Sequence, residues 1–121
     1  MPQLQLIKTF TFESAHSLPN VPEGHKCRRL HGHSFKATVT VRGPVDAGMG
    51  WVMDYGDIKK VVDPFIEELD HRLLNEVPGL ENPTSENVAL WLWGKLKPRL
   101  PILESVEIHE TCTSACVYRG K

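Results

Sequence analysis

From His33 onward the apolar residues fall on every second position: Phe35, Ala37, Val39 and Val41 alternate with Ser34, Lys36, Thr38 and Thr40. A period of two marks a strand with one buried face, and it predicts a strand from about His31 to Arg42. Leu4, Leu6, Phe10 and Phe12 alternate with Gln5, Thr9 and Thr11, a first strand whose pattern is imperfect at Ile7 and Lys8. Near the end of the chain Val106, Ile108 and Glu110 alternate with Glu107, His109 and Thr111. After a turn at Thr113 and Ser114, residues 115–118 can pair back as a hairpin.

Between these strands the period changes to that of a helix. Asp54 is placed as an N-cap with Asp57 three residues on, and Ile58, Val61, Val62, Phe65, Ile66 and Leu69 then form one apolar stripe. Pro64 lies inside that stripe and is expected to kink or split the helix. A second helix is announced by Pro83-Thr84-Ser85-Glu86, runs through Val88, Trp91, Leu92 and Leu96 with its tryptophans in the core, and stops at Pro98. The order ββααββ predicts an α+β fold, a four-stranded antiparallel sheet with both helices on one face. Such a sheet has two open edges, a liability that a second subunit relieves, so an oligomer is expected.

At 121 residues and 40% hydrophobic content the chain reads as a single domain, 1–121, burying about two-thirds of its unfolded surface. A net charge of -1, from 14 basic and 15 acidic residues, gives no electrostatic footprint for nucleic acid or an anionic membrane. The 3 cysteines are an odd count, and the N-terminus lacks the basic and apolar regions of a secretory signal. With no apolar run near the ~18 residues a membrane span needs, the expected location is cytoplasmic.

The candidate chemistry begins at His31-Gly32-His33. Two imidazoles two residues apart share one side of a strand, here the side of Phe35, and His16 at the end of the first strand is the natural third donor. Three neutral imidazoles suit Zn²⁺ and leave a fourth position open, the catalytic rather than the structural arrangement. Cys27, flanked by His25, Lys26, Arg28 and Arg29, can act as base, nucleophile or fourth ligand, and the basic cluster can hold a phosphate group. Cys112 and Cys116 lack such neighbours and read as packing residues. Asp70-His71 forms an acid/base dyad only if the backbone leaves helical geometry there, since adjacent residues do not face each other on a helix. Glu110 shares the parity of Val106 and Ile108; a carboxylate on an apolar strand face either lies at the rim or awaits a ligand with two N–H donors side by side.

Taken together, His16, Cys27-Arg28-Arg29-Leu30-His31-Gly32-His33, Leu69-Asp70-His71, Asn82-Pro83-Thr84-Ser85-Glu86 and Glu110-Thr111-Cys112-Thr113 resemble the 6-pyruvoyltetrahydropterin synthase family over nearly the whole chain. The position of Cys27 before the His-Gly-His is most similar to the bacterial branch that makes 6-carboxy-5,6,7,8-tetrahydropterin for queuosine biosynthesis. The resemblance implies a T-fold (tunnelling fold): trimers whose sheets close into a barrel, two trimers stacked as a homohexamer, and active sites at subunit interfaces. It implies a zinc-dependent lyase acting on 7,8-dihydroneopterin triphosphate, with 6-carboxytetrahydropterin, acetaldehyde and triphosphate as products. In that scheme Zn²⁺ sits on His16, His31 and His33, Cys27 moves a proton with His71 oriented by Asp70 as its partner, and Glu110 anchors the pterin. By their charge, and not from the resemblance, Lys26, Arg28 or Arg29 would hold the triphosphate. A pyruvoyl-forming synthase and a non-catalytic zinc-stabilised binding protein are the rival readings.

Overall fold

The computed structural model describes residues 2–121; the side chain of Thr111, part of the Glu110–Thr113 motif, lies outside the described residues. Strands β1 (Gln3–His16) and β2 (His31–Pro44) are followed by helix α1 (Tyr55–Leu69) and a two-residue strand β3 (Arg72–Leu73). Helix α2 (Ser85–Leu96) and the strands β4 (Leu103–Thr111) and β5 (Ser114–Tyr118) complete the chain. The expected ββααββ order stands, with one addition. The sheet has five strands in the order β3-β1-β2-β4-β5, and β3 runs parallel to β1, so the sheet is mixed rather than purely antiparallel.

The β1–β2 ladder is continuous from Gln3↔Pro44 to His16↔His31, so the apparent fault at Ile7 and Lys8 is not a register break. Ile7 faces outward and exposed, while Lys8 lies on the inner face with its ammonium 5.9 Å from the Phe10 ring centroid. Phe10, Phe12, Phe35, Ala37, Val39, Val41, Val106 and Ile108 bury that face against the two helices, as the alternation predicts.

Helix α1 starts where Asp54 accepts a hydrogen bond from Gly56 N–H at 2.8 Å, and contrary to expectation it runs through Pro64 without splitting. Pro64 is on the exposed side, so the carbonyl its ring leaves unbonded can be met by water. Thr84 caps α2 through Asn87 N–H at 3.1 Å. Trp91 and Trp93 are partly buried against the core rather than within it. Cys116 packs there too, with its thiol pushed up by burial, but Cys112 is exposed and does not pack as expected.

β3 covers β1 only at Ser14 and Ala15, so most of β1 and the outer side of β5 remain open edges. No helix among the described residues is long and apolar enough to cross a membrane.

Candidate metal centre

β1 and β2 end together, with His16 opposite His31 and Ser14 opposite His33, which brings three imidazoles onto the inner face at one end of the core. The ring centroids of His16, His31 and His33 are 4.6, 4.8 and 5.2 Å apart pairwise, and one ring nitrogen of each lies within 4.8 Å of the others. Phe35 forms the floor, meeting the His16 and His33 rings edge-on at 5.5 Å and stacking on Phe12 at 5.0 Å.

Two of the rings are oriented by main-chain carbonyls. His16 Nδ1 is 2.8 Å from the Pro83 oxygen and His31 Nδ1 is 2.7 Å from the Arg29 oxygen. A carbonyl only accepts, so each Nδ1 carries the proton and each Nε2 keeps its lone pair. Burial lowers the His16 pKa, outweighing the carbonyl of Pro83 and the charge of Glu110, and so favours the neutral form that a metal requires.

His16 Nε2 is buried and makes no hydrogen bond. Glu110 Oε1 is 3.1 Å away but outside hydrogen-bond geometry, and a lone pair facing a carboxylate oxygen is repulsive unless a cation lies between them. This orphaned nitrogen, with two further imidazoles beside it, fits a divalent metal, and the donor set suits Zn²⁺. Glu110 reaches the cluster from a bulge: pairing with β5 passes from His109↔Ala115 to Thr111↔Ser114, leaving Glu110 opposite no residue.

Cys27 lies on a 3-10 turn (Lys26–Arg28) and shares a cavity of about 400 Å³ with Lys26, His31, His33 and Glu110. The turn is pinned on three sides: Cys27 N–H donates to His25 Nδ1 at 3.1 Å, Leu18 N–H to the Cys27 carbonyl at 2.8 Å, and Arg28 Nη1 to the Val21 carbonyl at 3.0 Å. The three-histidine group that could hold a metal does not include Cys27. Of the basic residues flanking it, Lys26 lines the cavity and Arg28 braces the loop.

The Asp70-His71 backbone does leave helical geometry. Asp70 is extended, and His71 takes φ 55°, a left-handed conformation uncommon for a residue other than glycine. That turn brings His71 Nδ1 to 3.0 Å from Asp70 Oδ1. The Glu13 peptide clamps the pair, its N–H donating to Asp70 Oδ1 at 2.9 Å and its carbonyl accepting from His71 N–H at 2.6 Å. The Glu13 N–H first, and the His71 ring second, hold the Asp70 carboxyl below the usual carboxylate range. His71 lines a second groove, about 560 Å³, with Glu13, Gly32, His33 and Arg72. Within one chain His33 borders both grooves, while Cys27 and His71 share neither.

Several positioning groups escaped the sequence reading: the Pro83 and Arg29 carbonyls, the Glu13 peptide and Asn75. The Asn75 amide meets the Ser17 peptide on both sides, at 3.0 and 2.8 Å, and so anchors the chain beside His16. Main-chain partners leave no residue-type signal; the Asn-Pro-Thr-Ser motif at residues 82–85 was the nearest hint to the first.

A mixed sheet backed by two helices, with imidazoles converging at the strand ends, defines the class to which known proteins can be compared. The model of the family described as 6-pyruvoyl tetrahydropterin synthase matches residues 5–121. A 6-carboxy-5,6,7,8-tetrahydropterin synthase from Synechocystis is 48% identical over 119 residues, covering 93% of this chain and 91% of its own. A dihydroneopterin monophosphate aldolase from Pyrococcus furiosus is 39% identical, covering 80% and 78%. The solved 6-pyruvoyl tetrahydropterin synthase of Caenorhabditis elegans superposes with a TM-score of 0.90 at 30% identity, over 100% of this chain and 98% of that one. The chain belongs to the 6-pyruvoyl tetrahydropterin synthase family, and its fold is the T-fold that the resemblance implied.

Proposed function

We propose that the protein converts 7,8-dihydroneopterin triphosphate and water to 6-carboxy-5,6,7,8-tetrahydropterin, acetaldehyde and triphosphate, as a zinc-dependent lyase in queuosine biosynthesis. The observation that carries this reading is the cavity in which Cys27, Lys26, Glu110 and two of the three clustered histidines meet. The similarity to the Synechocystis carboxy synthase supports the choice of product.

His16, His31 and His33 would hold Zn²⁺, which would supply Lewis-acid chemistry toward the hydroxyls of the substrate side chain. Glu110, a carboxylate with two acceptor oxygens, takes the two N–H donors of the pterin's aminopyrimidine edge and sets the ring's register. Cys27, as thiolate, moves a side-chain proton. His71, held in one orientation by Asp70, is the partner acid or base. Lys26, on the cavity wall, takes the triphosphate charge.

Because Cys27 and His71 border different grooves of one chain, the full set is completed across subunits. The open edges of β1 and β5 allow the sheets of three copies to close a barrel, and two such trimers make a hexamer. A pyruvoyl-forming synthase would use the same side chains and differ in its product.

Cys27→Ala separates these roles. Turnover should vanish while zinc content stays near one per chain, since Cys27 stands outside the nitrogen group. Intact turnover would remove the thiolate from the mechanism.

A further inference from the structure

We infer that Glu110 is a fourth, exchangeable ligand of the metal held by His16, His31 and His33, bound while the cavity is free of pterin and released to the pterin edge when substrate enters. This rests on the metal reading of the three histidines. Zn–N distances of about 2.0–2.1 Å and Zn–O distances of about 2.0–2.2 Å place neighbouring donors of a tetrahedron about 3.3 Å apart. Glu110 Oε1 lies 3.1 Å from His16 Nε2 and 3.9 Å from His33 Nε2, distances that bracket this value.

The chemistry agrees with the spacing. His16 Nε2 has no proton to offer, because its Nδ1 donates to Pro83, so the approach of the carboxylate is not a hydrogen bond. No Lys or Arg among the described residues pairs with Glu110. A carboxylate on an apolar strand face, set against lone pairs, is stable when a cation sits between them. Glu110 stands outside the three-nitrogen group and 31% of its side chain is exposed, so it can leave without opening the histidine cluster. A closed, four-ligand site in the free protein would keep adventitious hydroxyl donors off the metal until pterin draws the carboxylate away.

The test measures metal binding in the absence of substrate, by competition with a chromophoric chelator for Zn²⁺ and by the visible absorption of the Co²⁺ form. Glu110→Gln and Glu110→Ala should each weaken Zn²⁺ by at least about tenfold and alter the Co²⁺ bands. A fully oxidised, unreactive pterin added to the wild type should move its Co²⁺ spectrum toward that of the variants. Zn²⁺ affinity within twofold of wild type, with an unchanged Co²⁺ spectrum, would overturn the inference. Circular dichroism of the isosteric Gln variant establishes that a loss of affinity is not a loss of fold; if the Ala variant unfolds, the Gln variant decides. The arms separate the two claims: weakened pterin binding with unchanged metal binding refutes the ligand role and leaves the pterin anchor standing. Retention of Zn²⁺ by His33→Ala at wild-type affinity would instead refute the metal reading itself, and this inference with it.

Discussion

Phe35→Leu tests whether the floor beneath the histidines organises the metal centre. Phe35 is 1% exposed and touches three rings: Phe12 by stacking, and His16 and His33 edge-on. Aromatic pairs contribute about 0.5–1.5 kcal/mol each beyond buried area, and leucine retains most of the volume without the ring contacts, so the loss comes to about 2–3 kcal/mol. For a chain of this size 1 kcal/mol moves Tm by about 3–5 °C, which predicts a drop of about 6–15 °C in thermal unfolding of the metal-free protein. The same substitution removes the edge-on support of His33 and of His16, whose ring the Pro83 carbonyl still holds, so zinc should stabilise the variant less than the wild type. By linkage, the deficit in Tm must then be larger with zinc than without. A variant within about 1 kcal/mol of wild type, or an equal deficit in both states, would refute the view that Phe35 orders the site.

Two other perturbations probe the metal and the dyad. Removing zinc with a chelator should leave the protein folded by circular dichroism, because the histidines lie at one end of a core already closed by apolar side chains; unfolding on chelation would favour a structural metal. Asp70 should titrate below its ordinary value of 3.8 when followed by NMR. Its contribution to stability is therefore fully present above that value and lost as pH falls through the depressed one. Asp70→Asn should abolish the acid-limb difference, and an unshifted Asp70 would show that the Glu13 clamp is not formed in solution.

Alternation made most of the sheet legible, because a half-buried strand cannot hide its period: the shared parity of His31, His33 and Phe35 placed the imidazoles on the core face. Glu110 was found the same way, as a carboxylate where an apolar residue belongs. What escaped was encoded without a period. β3 is two residues long, too short for any pattern, and it pairs in parallel through contacts made after α1 has turned back. The Asp70-His71 pair stands in the sequence as a conditional dyad; what the sequence does not express is the positive φ at His71 that meets the condition, held by the hydrogen bond of its N–H to the Glu13 carbonyl. Pro64 does not split its helix, since a proline on a solvent-facing side leaves its unbonded carbonyl to water. The division of Cys27 and His71 between two grooves is a property of the folded chain that no linear spacing expresses.

The most direct test of the account is to incubate zinc-loaded protein with 7,8-dihydroneopterin triphosphate and identify the products by mass spectrometry. The account predicts 6-carboxytetrahydropterin with acetaldehyde; a 6-pyruvoyl product, or substrate returned unchanged, would contradict it.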